Sequence, residues 1–462
     1  AVVLGQQIDT QSVADASIGN TQLTNPLAYT GLLDLTGNTS SMGLPRGTDA
    51  QEPSAGSTEG HIRYNNDDNL VYFSDGTDWK KISAVLAVLS TVTGQIVDGA
   101  TSNLTLAGTG FLSSGLVVNF FQSADSINVN VTVTPTSDIA ATVTVPSSVF
   151  SNVTAGNAVS IKVTNSDSMQ SGTVNTTAVG LPTGGNSITT SGNFRIHTFT
   201  SSGTFGLTFQ TAVEYLVIAG GGGVGTRRHG GGGGAGGYRS SVTGQASGGG
   251  ASAETASVLS AANYTVTIGG GGASSSAAGN TNSGATNGSN SVFGSITSLG
   301  GGIGSSYNIT GIDGGSGGGG GSANNSTTFA GNGTSGQGSA GGRGGINVGG
   351  GAGGGGGGSG GAGGSANNGD GNGNGGNGGV GTASNITGSS VTRAGGGGGG
   401  GDTTGNAGTG GSGGGGNGAS NNDGSPQSGT ANTGGGAGGG GSDGRTHPNG
   451  GSGIVIVRYA IS

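Results

Sequence analysis

Apolar and polar residues alternate through the middle of the chain. "NLTLAGTGF", "LVVNFF", "INVNVTVTPTS", "AATVTVPSSVF", "AVSIKVTNSDS" and "GTVNTTAV" succeed one another between residues 84 and 180. A period of two places every second side chain on one face, so each run predicts a half-buried strand. The β-branched residues suit that surface, and six or seven strands at this spacing predict a β-sandwich. Upstream, "HIRYN" and "LVYFS" read as short strands joined by a tight turn at Asn66–Asn69, and "WKKIS" as a third after "DGTD". Downstream, "FRIHTFTSSGTFGLTF" and "VEYLVIAG" predict further strands, as do "NYTVTIGGGG" (263–272), "SVFGSITSLGGG" (291–302) and the closing "GIVIVRYAI" (453–461). Residues 1–43 keep no sustained period; they predict a thin extended segment that borrows its core from other copies of itself. The expected fold class is all-β with no substantial α-helix.

The pattern stops after "VEYLVIAG". The chain continues as "GGGVGTRRHGGGGGAGG", and glycine accounts for 117 of the 462 residues. Sequence of this kind defaults to a flexible linker. Ordering it costs about 1–2 kcal/mol per residue, and glycine loses the most. Few apolar side chains offset that cost, so backbone hydrogen bonds must. One arrangement supplies them. A polyglycine II helix has three residues per turn and no internal hydrogen bonds, so all its N–H and C=O groups point outward. Without Cβ atoms, neighbouring helices approach on every side and bond to one another. Gly353–Gly358, Gly395–Gly401, Gly413–Gly416 and Gly438–Gly441 are uninterrupted runs of the required kind. The expectation is a polyglycine II stack over 184–462, framed by strands, at the end of an elongated multi-module fibre. Collagen is excluded by the lack of a Gly-X-Y period and by only eight prolines.

Charge and chemistry narrow the function. The chain carries 13 Lys and Arg against 21 Asp and Glu, a net charge of −8, which argues against nucleic acid as a partner. It has no cysteine, so thiol chemistry and disulfides are excluded. No apolar run is long enough to predict a membrane-spanning helix. The four histidines are scattered without metal-ligand spacing. "NNGDGNGNGGNGG" (367–379) lacks the recurring aliphatic residue of calcium-binding repeats. No catalytic residue, cofactor or metal is expected, and the chain reads as a binding or structural protein rather than an enzyme. It starts without Met and is expected to be processed or part of a longer chain.

Three stretches carry resemblances. "LPRGTDAQEPSAGSTEGHIRYNNDDNLVYFSDGTDW" (44–79) resembles a small β module of tailed-bacteriophage structural proteins, especially tail fibres, and sets a module at 44–83. "GATSNLTLAGTGF" and "VSIKVTNSDSMQSGTV" resemble the first and last strands of IPT/TIG-type Ig-like domains, implying a spacer over 84–183. "VEYLVIAGGGG", "GGGGAGGYR", "YTVTIGGGG" and "GGSGIVIVRYAI" together resemble the glycine-rich domain of phage tail fibres and distal adhesins. That resemblance implies a receptor-binding tip on a virion, outside the cell. Its partners would be a bacterial outer-surface receptor, protein or polysaccharide, and other tail proteins. It also implies a homotrimer, although here the glycine domain is fused to a shaft-like part. The competing reading is a structural glycine-rich surface adhesin or extracellular filament subunit of a bacterium.

On a rigid scaffold the loops carry recognition. Aromatic and Arg side chains are the favoured anchors. The candidates are Tyr307 and Ile309 in 303–313, Phe329 in 322–337, and Ile386 and Arg393 in 380–394. Arg227, Arg228, His229, Arg445 and His447 complete the set, and 417–433 is a further polar loop. Tyr238, Tyr264, Phe293 and Tyr459 lie beside strand signals and read as structural.

Overall fold

The computed structural model describes residues 44–461 except 58–59, 68–69, 82–85, 114, 166–170, 226–227, 278, 280, 347–349, 370–371, 421–423 and 442–447. The expected N-terminal segment 1–43 lies outside the described residues. The protein is mostly β-strand in several small sheets. Its one α-helical segment among the described residues is a single turn, Ser147–Phe150. Two compact units divide at Ala84/Val85.

In the first unit the three expected strands form at Ile62–Asn65, Leu70–Ser74 and Trp79–Lys81, joined by antiparallel pairing. A two-residue strand, Arg46–Gly47, adds in parallel to the first. The unit is small, and polar contacts tie it. Trp79 Nε1 donates to the Pro53 carbonyl at 2.8 Å, and buried Arg63 pairs with Glu52 at 3.0 Å.

The second unit begins with two sheets that enclose one core. Val88–Thr93, Asn103–Thr109 and Ala140–Thr144 make the first; Leu116–Gln122, Ile127–Val133, Ala158–Asn165 and Val174–Thr177 make the second. Alternation does what the sequence predicts. Leu104 and Leu106 face inward from one sheet, Leu116, Val118, Phe120, Val159, Ile161 and Val163 from the other, and all are fully buried.

A third sheet frames the glycine region. Its order runs Ser187–Ser191, Phe194–Phe199, Ile454–Ala460, Thr211–Ile218, Tyr238–Ser240. The last strand of the chain therefore fills the gap between two strands that precede the glycine region, antiparallel to both. Both faces of this strand pair are buried: Phe199, Val213, Tyr215, Val455 and Val457 on one side, Ile196, Leu216, Ile218 and Ile456 on the other.

Beyond the sheet, the glycine runs pack side by side. Run 230–237 shows the rule. Gly230, Gly233 and Gly236 donate to Gly440, Ala437 and Gly434; Gly231, Gly234 and Gly237 donate to Ser305, Gly302 and Leu299; Gly232 and Ala235 donate to Gly354 and Gly357, all at 2.8–3.0 Å. Its carbonyls accept from three other runs, 316–322, 397–400 and 219–222. Successive N–H groups thus turn to a new neighbour and return every third residue, which is the threefold rotation of polyglycine II. Run 395–401 obeys the same rule. Its N–H groups go to 413–419, 376–379 and 230–233, and its carbonyls serve 436–439, 408–411 and 353–356. Six neighbours round one helix leave no room for a side chain at such glycine positions. A Cβ built on Gly232, Gly356 or Gly398 would overlap a neighbouring carbonyl.

Candidate functional site

Hydrogen-bond register fixes which end of the stack each loop occupies. The chain leaves the sheet at Ile218, runs outward through 219–225, and returns through 230–237 to the strand Tyr238–Ser240. Each later pair of runs repeats this path. Run 299–305 is level with 237 at its start and 231 at its end, and run 316–322 is level with 235 and then His229. The connections at 228–229, 306–310, 323–327 and 402–405 therefore gather at the end away from the sheet.

Polar contacts knit these far-end loops together. Asn282 ties its own segment to one of them: its Nδ2 donates to Ser305 Oγ at 3.1 Å and its Oδ1 accepts from Ser306 N–H at 2.9 Å. Tyr307 is half-buried, and its hydroxyl donates to Asn324 Oδ1 in the next loop. Asn308 N–H donates to the Ser322 carbonyl at 2.7 Å, with Asn308 in the left-handed region at φ 62°. His229, also left-handed at φ 53°, is buried and holds Asp402 at 3.1 Å. Asn side chains also stand in for glycine carbonyls at the rim: Asn374 and Asn377, three residues apart, accept from the N–H groups of Asn406 and Thr409 at 2.7 and 2.9 Å.

The candidates divide by position. Tyr307 and Ile309 are half-exposed in the far-end loop 306–310, and Arg228 is exposed in the loop before His229. Phe329 is 60% exposed just after the loop 323–327, with the Arg343 guanidinium 4.9 Å from its ring centroid. Arg227, Arg445 and His447 lie outside the described residues. His229 is buried rather than presented. Ile386 and Arg393 require a correction of place. Their segment is a hairpin, Thr382–Ser384 with Val391–Arg393, folded back at the sheet end. Ser384 Oγ donates to Gln245 there, and Arg458 Nη1 donates to the Asn385 carbonyl. Ile386 is fully buried in the core beside Ile218, Tyr238 and Ile456. Arg393 is 9% exposed; burial pushes its pKa down and nearby Tyr238 partly offsets this. Tyr238, Phe293 and Tyr459 are core residues, and Tyr264 packs against the same core.

Sequence reasoning missed Asp402, Arg343, Asn282 and Asn324, which hold or flank the candidates. Each meets its partner only because the stack brings remote runs side by side, and no local pattern marks such pairs.

The fold and its far-end loops define an all-β protein built on a polyglycine II stack. Residues 189–460 match the model of a family described as a glycine-rich domain, and the chain belongs to that family. The family description extends neither to a tail fibre nor to an Ig-like module. No curated protein and no solved structure matches the chain.

Proposed function

We propose that the chain is a bacteriophage tail-fibre protein that recognises the host cell surface through the far-end loops of its glycine stack. The observation that carries this reading is the division of labour inside the stack. Glycine runs are fixed by hydrogen bonds in several directions, while connections such as 306–310 and 323–327 hold side chains at the end opposite the sheet. A loop on such a frame changes sequence without disturbing the core, which is what a surface that must match variable receptors needs. The half-exposed Tyr307 and Ile309, exposed Arg228 and the Phe329–Arg343 pair supply aromatic, aliphatic and cationic anchors. The two-sheet sandwich serves as an Ig-like spacer. The module at 44–83 and the segment 1–43 connect to other virion tail proteins, in a homotrimeric fibre on the virion.

The test is binding of the labelled full chain to a panel of bacterial strains from the source habitat. Strain-restricted binding is expected. Replacing 306–310 by Gly/Ser should abolish it, whereas replacing the mostly exposed turn 387–390 at the sheet end should not. A folded chain that binds no strain and grows into open polymers in sedimentation runs would replace this reading with that of a bacterial filament subunit.

A further inference from the structure

A cleft of about 440 Å³ opens between the sandwich and the sheet that frames the glycine stack, within the range of small-molecule sites. Val97 and Leu181 line it on the sandwich side, and the half-buried ring of Phe209 on the other. Gln95, Asn103 and Gln210 also line it, and no acidic or basic side chain does among the described residues.

We infer that this cleft binds a neutral sugar of one or two rings. An acidic ligand would find no cation there among the described residues, and a purely apolar one would leave the amides unmatched. A sugar presents a C–H face to an aromatic ring and hydroxyls round its edge, which suits a lining that includes Phe209, Gln95, Asn103 and Gln210. The cleft lies at the sheet end, so it is separate from the far-end loops proposed to meet the receptor.

Saturation-transfer NMR on the full chain tests the site, using glucose, galactose, mannose, N-acetylglucosamine, lactose and maltose, with glucuronic acid as the charged comparison. At least one neutral sugar is expected to bind, and Phe209→Ala should weaken its Kd about tenfold or more. Gln210 is exposed, so Gln210→Ala leaves the fold intact and should weaken the same sugar. The Gly/Ser replacement of 306–310 should change nothing, which separates this site from the receptor reading. Absence of binding by every neutral sugar, equal binding of glucuronic acid, or binding that survives both variants would overturn the assignment.

Discussion

Gly398 and Gly408 lie in neighbouring helices of the stack, so close that a Cβ on Gly398 would overlap the Gly408 carbonyl oxygen. Gly398 meanwhile donates its N–H to Gly416 at 2.9 Å in a third helix. Gly398→Val must therefore push helices apart and break bonds in more than one direction. A loss of about 3 kcal/mol or more is expected, read as a lower melting temperature and faster proteolysis. Gly270 is the internal control: nothing lies within 4 Å of a Cβ built there, and its φ is not left-handed. Gly270→Ala should stay within about 0.5 kcal/mol of the parent.

The two kinds of candidate loop should separate in one experiment. Ile386→Ala empties a fully buried position and should cost about 2–5 kcal/mol of stability. Tyr307→Ala removes a half-exposed ring and one loop-to-loop hydrogen bond, and should cost about 1 kcal/mol while weakening cell binding. Denaturant titration beside cell binding reads both effects.

The closing strand is locked by charge as well as by pairing. Arg458 stands opposite Glu214 in the sheet, with Nη2 and Nε at 2.6 and 2.7 Å from Glu214 Oε2, and its guanidinium lies 4.3 Å from the Phe194 ring centroid. Both side chains are largely buried, so Glu214→Ala strands a cation and should cost about 3–5 kcal/mol. Chemical denaturation checks the value. Removal of Ile454–Ala460 would open the sheet at its centre and should abolish cooperative unfolding.

His197 makes stability depend on pH. Burial lowers its pKa below the ordinary 6.5, partly offset by the bond to the Gly184 carbonyl, with Arg195 lowering it further. Its Nδ1 lies 2.7 Å from that carbonyl, and the ring is fully buried. With the folded pKa depressed, the unfolded state binds the proton first. Stability is full above 6.5 and falls as pH drops from there through the lower folded pKa. The wild type should lose more stability between about pH 7 and pH 5 than His197→Gln does. Equal slopes in paired denaturation curves would contradict that role.

Much of the β architecture is legible in the sequence because alternation reports burial directly. Leu104, Leu106 and Val143 alternate with exposed residues and face the sandwich core. The glycine runs are legible for the opposite reason: an absence of side chains leaves backbone bonding as the source of order. The far-end wiring stays hidden. The register that brings Asp402 to His229, or Asn324 to Tyr307, is set by which run lies beside which, and repeated glycine carries no local mark of its neighbour. The segment 380–394 misleads for a related reason. Ile386 and Arg393 look like loop anchors between glycine runs, yet the turn holding them lies at the sheet end, where an apolar side chain finds a core.

Amide hydrogen exchange of the full chain tests the central claim, that the glycine region is an ordered stack. The N–H groups of 230–237 and 395–401 each have a partner in a neighbouring run. They should exchange as slowly as those of the strand Ile454–Ala460, and exchange should speed up in Gly398→Val. Exchange of these amides at the rate of an unstructured chain, while Ile454–Ala460 stays protected, would show that the region is a linker and contradict the ordered stack.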